Sequence, residues 1–173
     1  MIKALRKLDH RCSLGAHKLT KSHDKIHTLA VVFARWVFWL LLLGLVVAVF
    51  ARRGPIFVRE LLFVLGLSIL LGIIFNLILG KIFVRKRPFE THKLHALIST
   101  TWLGGSFPSD HAMFSFAVAT PLWIFDPITG IWAIIVACLI AVSRVAVGVH
   151  YWTDVIVGTA VGVGAAYIAL AII

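Results

Sequence analysis

A chain of 173 residues that is 61% hydrophobic and only 14% charged, with a mean hydropathy of +1.01, is excluded from the soluble globular class, where about a quarter of residues carry charge. Its net charge of +10 lies largely beside apolar segments, which points to anionic lipid headgroups and phosphorylated substrates as partners, with no nucleic acid. Two cysteines, Cys12 and Cys138, make no disulfide framework and read as small packing residues.

Residues 1–28 are basic, and Ile2, Leu5 and Leu8 recur every three residues, so this segment reads as an amphipathic helix at the membrane interface. It lacks a short apolar core followed by a small-residue cleavage site, so it is expected to be retained. Five apolar segments follow, at 29–50, 57–79, 110–126, 130–147 and 153–173. Each approaches the ~20 residues that cross a bilayer as a helix. The turn signals are Ala51-Arg52-Arg53-Gly54-Pro55 and Asp126-Pro127-Ile128-Thr129-Gly130. Trp36, Trp39, Trp102, Trp123, Trp132 and Trp152 fall near predicted helix ends or polar stretches, as interfacial aromatics do. The expected fold is therefore an all-α integral membrane helical bundle of about five spans. It forms a single domain over 1–173, with no internal repeat, and its motif-bearing core occupies 57–173.

Three polar motifs interrupt this apolar chain. They are Lys81-Ile82-Phe83-Val84-Arg85-Lys86-Arg87-Pro88, then Phe107-Pro108-Ser109-Asp110-His111, then Ser143-Arg144 through Val149-His150-Tyr151-Trp152-Thr153-Asp154. Counting crossings brings all three to the same membrane surface. Charge in such surroundings is costly and implies function. If the chain is helical from His150 onward, Asp154 shares a face with it and holds the imidazole in one tautomer, leaving the other nitrogen for chemistry.

In this order and setting the motifs resemble those of the type 2 phosphatidic acid phosphatase superfamily of membrane lipid phosphatases, which shares its core with vanadium haloperoxidases. The pattern is Lys then Arg-Pro, Pro-Ser-x-His, and Ser-Arg followed by five residues, His, three residues and Asp. The second and third motifs match throughout, and the resemblance covers 57–173. Five residues separate Lys81 from Arg87, where the family has six. One residue is about 100° of helix rotation, so either Lys81 or Arg85, one turn on, is expected to reach phosphate. Asp110 stands where Gly is frequent, and at a first helical turn it is favoured by the helix dipole alone.

The resemblance implies a phosphoryl transfer without metal or cofactor. Arg87 and Arg144 would clamp the phosphate oxygens in planar, bidentate geometry. Ser109 either caps the third span or contacts phosphate, and both are compatible because helix N-termini bind phosphate. His150 would be the nucleophile and form a phosphohistidine. His111 would protonate the leaving oxygen and then activate water. His10, His17, His23 and His27 are irregularly spaced among lysines and read as a solvated or headgroup-facing surface.

His92 and His95 read by spacing as loop or interface residues. Yet Arg-Pro-Phe-x-x-His-x-x-His resembles the branch that includes bacterial undecaprenyl-pyrophosphate phosphatases. That branch implies removal of the terminal phosphate from a polyprenyl pyrophosphate, in a multipass protein of the bacterial plasma membrane. Phosphatidylglycerol phosphate and phosphatidic acid are the alternative substrates. A lipid-headgroup or anion transporter is the alternative of another class. A homo-oligomer is allowed by the sequence and not specified by it. Seven Lys/Arg in 1–28, against Arg52, Arg53 and Arg59 on the other side, place the motifs in the cytoplasm by the positive-inside rule. The resemblance places them outside, and because catalytic cations serve phosphate binding, the extracytoplasmic arrangement is the expectation.

Overall fold

The computed structural model describes residues 2–37, 40, 44, 47, 54–92, 97 and 105–173. Its elements are α1 (Ile2–Lys21), α2 (Asp24–Val32) running into a π turn at Phe33–Val37, α3 (Pro55–Ile82), the single-turn α4 (Pro88–His92), α5 (Asp110–Phe125), α6 (Pro127–Ala146) and α7 (Trp152–Ala171). The described residues contain no strand, so the fold is the expected all-α bundle. Proline opens α3 after Gly54 and α6 after Asp126. Its fixed φ suits the first turn, and its missing N–H has no partner to lose there.

Helices α3, α6 and α7 are long and apolar enough to cross a membrane. Exposed Leu62, Phe63, Leu70 and Leu77 on α3, and Ile156 and Ile168 on α7, give them apolar outer faces. Helix α5 differs, because its 16 residues rise only about 24 Å, short of the ~30 Å hydrocarbon core. It is the central helix, packed against α3, α6 and α7, with Ala112, Met113, Ala117, Val118, Ala119 and Leu122 buried. Of the first expected span, 29–50, the helical part to Val37 is described and most of the rest lies outside the described residues, as do Trp39, Arg52, Arg53 and Trp102.

Close approach of α7 to α5 rests on Gly158 and Gly162, spaced as in small-xxx-small helix contacts. A Cβ on Gly158 would stand 2.4 Å from the Ser109 carbonyl oxygen, and one on Gly162 would stand 2.3 Å from that of Met113. The two glycines thus set where the N-terminus of α5 sits. Packing there decides the placement of a motif residue.

Helix α1 meets α6 and α7 with a stripe that is polar: Asp9, Ser13, His17 and Thr20 are buried, whereas Leu8 and Leu19 are exposed. The segment is helical, as expected. What it buries, however, is its small polar face, against the third motif.

Replacing Gly162 by Ala should destabilise the fold by about 1–3 kcal/mol, the usual cost of overpacking. Gly164→Ala, where a Cβ meets nothing within 4 Å, should be neutral or stabilising by up to about 1 kcal/mol. Thermal unfolding in detergent distinguishes the two, and equal melting temperatures for both variants would refute the close-packing account.

Candidate active site

The second motif folds into the start of α5. Ser109 occupies the N-cap position but makes no side-chain cap bond. Its Oγ is buried without a hydrogen-bond partner among the described residues. The backbone N–H of Ser109 donates to the Asp154 carbonyl (3.0 Å), tying the start of α5 to the start of α7. Asp110 accepts a 2.7 Å hydrogen bond from Asn76 of α3.

Arg144 lies in the last turn of α6 and is buried. One of its Nη atoms donates to the Ala34 carbonyl in the π turn (2.7 Å), and its Nε has no partner among the described residues. Arg87 is buried too, at the end of the non-helical stretch that follows α3. Burial lowers its guanidinium from the usual value while Glu90, Asp110 and Asp154 pull the other way. The charges of Arg87 and Arg144 act on both His111, in the first turn of α5, and His150. These four side chains converge on one region at the common end of α5, α6 and α7.

His150 is not helical. Gly148, at φ +80°, reverses the chain after α6, and α7 begins only at Trp152. His150 N–H donates to the Arg144 carbonyl (3.3 Å), and Nδ1 lies 2.7 Å from the Ser106 carbonyl. A carbonyl can only accept, so Nδ1 carries the hydrogen and Nε2 of the neutral ring keeps its lone pair. The imidazole is held well below its ordinary pKa, first by burial, then by the Arg144 and Arg87 charges.

Two sequence expectations change. Asp154 does not hold the imidazole directly, since Nδ1 is 3.9 Å from its Oδ2. The reason is that His150 precedes α7 and so does not share a helical face with it. Asp154 instead accepts from Ser106 Oγ, from the Tyr151 backbone N–H (2.8 Å) and from Arg85 (2.6 Å). It reaches His150 through Ser106. Arg85 is likewise not one helical turn beyond Lys81, because α3 ends at Ile82 and the chain then leaves the helix. Its guanidinium spans Asp154, Thr153 (2.6 Å) and Asp9 (2.7 Å) and lies 3.8 Å over the Tyr151 ring. Two carboxylates thus engage it at once.

Lys81 is exposed in the last turn of α3. His92 closes α4, but its side chain and the whole of His95 lie outside the described residues. His10 stacks on Tyr151 at 4.5 Å, and His17 Nδ1 is 3.1 Å from the Ala146 carbonyl, so two of the N-terminal histidines face the third motif instead of headgroups. Among the described residues, no three His, Cys, Asp or Glu side chains are grouped to hold a metal ion. Sequence reasoning missed Ser106, Asn76 and Asp9. Ser106 acts partly through its carbonyl, which has no side-chain signature. For Asp9, the available signal was the lone acid of α1, four residues before Ser13.

A model of the PAP2 superfamily matches residues 61–173. The bacitracin transport permease protein BcrC of Bacillus licheniformis is 28% identical over 146 residues, which is 84% of this chain and 70% of that one. The undecaprenyl-diphosphatase BcrC of Bacillus subtilis strain 168 is 31% identical over 91 residues, covering 53% of this chain and 47% of the relative. Among solved structures, LpxE of Aquifex aeolicus superposes with a TM-score of 0.71 at 26% identity, covering 86% of this chain and 87% of its own. A transmembrane PAP2-type phosphatidylglycerolphosphate phosphatase from Bacillus subtilis superposes with a TM-score of 0.68 at 23% identity, over 98% of this chain and 86% of that one; that likeness concerns the fold alone. The family match covers well over half of the sequence and includes the helices that carry all three motifs, apart from the α1 contacts: this chain belongs to the PAP2 superfamily.

Proposed function

We propose that this chain is a lipid phosphatase that cleaves the terminal phosphate from a polyprenyl pyrophosphate, undecaprenyl pyrophosphate in the first instance, at the outer face of a bacterial plasma membrane. The observation that carries the reading is the pair of buried atoms, Ser109 Oγ and Arg144 Nε, without partners among the described residues. Each unsatisfied group costs about 1–3 kcal/mol. A phosphate oxygen accepts from both, and Arg87 adds a second guanidinium. The similarity to the undecaprenyl-diphosphatase BcrC supports the choice of substrate.

In this scheme Nε2 of His150 attacks the terminal phosphorus in line. The bond from phosphorus to the bridging oxygen breaks, and His111 gives that oxygen its proton, releasing the lipid monophosphate. Water then attacks the phosphohistidine, His111 takes a proton from it, and inorganic phosphate leaves with His150 restored. Arg87 and Arg144 offset the charge on the equatorial oxygens throughout. No metal ion enters these steps. One similar protein carries the name transport permease, but transport would not call for a neutral imidazole with its lone pair fixed at Nε2.

Phosphate release by the purified protein in EDTA should be fastest with undecaprenyl pyrophosphate, against phosphatidylglycerol phosphate and phosphatidic acid. His150→Ala should remain folded and lose at least about 10⁴-fold in rate, the scale for removal of a nucleophile. Preference for a glycerolipid would move the substrate, turnover by His150→Ala would sink the mechanism, and silence on all three lipids would favour transport.

The depressed pKa of His150 also gives a stability prediction. As pH falls through the unfolded value near 6.5, the unfolded chain takes up a proton there that the folded protein does not. Stability then drops by up to about 1.4 kcal/mol per pH unit from this group. His150→Gln should therefore lose less thermal stability between pH 7.5 and 5.5, and parallel curves for the two proteins would contradict the buried neutral imidazole.

A further inference from the structure

Helix α1 lies outside the three motifs, yet it holds the third motif at several points. Asp9 accepts from Thr153 Oγ1 (2.6 Å) and from the Thr153 backbone N–H (3.2 Å). Ser13 Oγ accepts from the Trp152 backbone N–H (3.1 Å). His10 stacks on Tyr151, and His17 meets the Ala146 carbonyl. His17 also packs so closely on Gly148 that a Cβ there would fall 2.8 Å from its Nδ1. Every one of these contacts falls on the stretch that ends α6, carries His150 and begins α7.

One contact leads further inward. Arg85 divides its guanidinium between two carboxylates, Asp9 at 2.7 Å and Asp154 at 2.6 Å. Asp154 in turn accepts from Ser106 Oγ, and the Ser106 carbonyl accepts from Nδ1 of His150. Ser106 is also fixed from the other side, since its N–H donates to the Arg85 carbonyl (2.7 Å). A continuous polar chain therefore runs Asp9, Arg85, Asp154, Ser106, His150. Its members are buried or nearly so: the side chains of Asp9, Arg85 and Asp154 are 5%, 17% and 0% exposed. In such surroundings, bonds to charged groups are strong and directional.

Arg85 has two carboxylate partners, and only one of them belongs to the third motif. Without Asp9, the arm facing α1 would lose its acceptor, and the guanidinium could swing toward Asp154 alone or out to solvent. The planar fork bridges two acceptors at fixed angles, which a lysine ammonium does not. From this geometry we infer that Asp9 and Arg85 are positioning residues for the phosphoryl transfer, and that α1 is a working part of the active site. Asp9 fixes the rotation of Arg85, Arg85 fixes the Asp154 carboxylate, and Asp154 fixes Ser106, whose carbonyl aims the His150 ring. The inference rests on the hydrolase reading above for its kinetic test, though not for its spectroscopic one.

The test compares Asp9→Asn, Asp9→Glu, Arg85→Gln and the Asp9→Asn/Arg85→Gln double variant of the full chain with the wild type, on whichever lipid phosphate the wild type hydrolyses. Asp9→Asn keeps the shape and one acceptor for Thr153, and it should lower kcat about 10–100-fold, the scale for a misplacement near 1 Å. KM should stay within about twofold, because Arg87, Arg144 and Ser109 are untouched. Asp9→Glu should recover most of the loss. The double variant should be no slower than Arg85→Gln alone, because the two residues act in series. Asp24→Asn, in an exposed acid of α2, should match the wild type.

A second readout needs no turnover. In ¹⁵N-histidine-labelled protein, the Nδ1–H of His150 should give a sharp bonded signal in the wild type and an exchange-broadened one in Asp9→Asn. Full kcat in Asp9→Asn beside an active wild type overturns the inference and leaves the hydrolase reading standing. Losses that multiply in the double variant overturn it as well. So does an unchanged His150 signal in Asp9→Asn, whether or not the protein turns over lipid. Failure of Asp9→Asn to fold would make the contact structural, which is also a refutation.

Discussion

Burying a carboxylate with no exposed edge, as at Asp154, is tolerable only if its oxygens are taken up by donors, because an unpaired charge in the interior costs several kcal/mol. This constraint draws distant pieces of sequence together. One oxygen takes Arg85 from the segment after α3. The other takes the Ser106 hydroxyl from the segment before α5 and the Tyr151 N–H at the mouth of α7. Satisfying one acid therefore fixes the relative positions of three chain segments. Asp154 also stands at the third position of α7, where its bond to the Tyr151 N–H is half of a capping box. The carboxylate that caps α7 also ties it to Ser106.

Packing supplies the second half of the arrangement. The side-chain-free faces of Gly158 and Gly162 let α7 lie against the backbone of α5, and the Ser109 N–H closes on the Asp154 carbonyl. The N-terminus of α5, with its Ser109 hydroxyl, is thereby delivered to the end of the bundle that carries Arg144 and His150. A helix N-terminus favours anions through its exposed N–H groups and its dipole. Here it faces two buried guanidinium groups. Arg144 is buried with its Nε unpartnered among the described residues, a cost that the proposed anion would offset.

Most of the architecture was legible in the sequence because bilayer-length apolar runs and Gly-Pro or Asp-Pro turns are strong one-dimensional signals. The motif spacings marked Arg87, Ser109, His111, Arg144, His150 and Asp154 as members of one locus, and the fold brings them to one end of the bundle. The exceptions have physical causes. Arg85 does not lie one helical turn beyond Lys81 because α3 ends at Ile82. The role of Asp154 was drawn one bond too short because α7 was started at His150 instead of Trp152. The segment expected at 110–126 is found as α5 at Asp110–Phe125, within one residue. In α1, the recurrence of Ile2, Leu5 and Leu8 drew attention to apolar residues, while the stripe of Asp9, Ser13, His17 and Thr20 is what packs. A polar stripe is informative only once its partner, here a loop rich in backbone donors and acceptors, is known.

The commitment of Arg85 to two carboxylates also bears on turnover. Binding that is equally strong before and after phosphoryl transfer deepens the ground state without lowering the barrier, and it retards release of inorganic phosphate. A third guanidinium aimed at the phosphate would add binding of this uniform kind. With Asp9 and Asp154 holding Arg85, the described cations buried at the site are Arg87 and Arg144, and both carry charge whatever the state of the histidines. In the proposed scheme, Arg85, held by both acids, positions Asp154 and leaves phosphate to Arg87 and Arg144. On this proposal, the acid on α1 separates a cation that binds from a cation that positions.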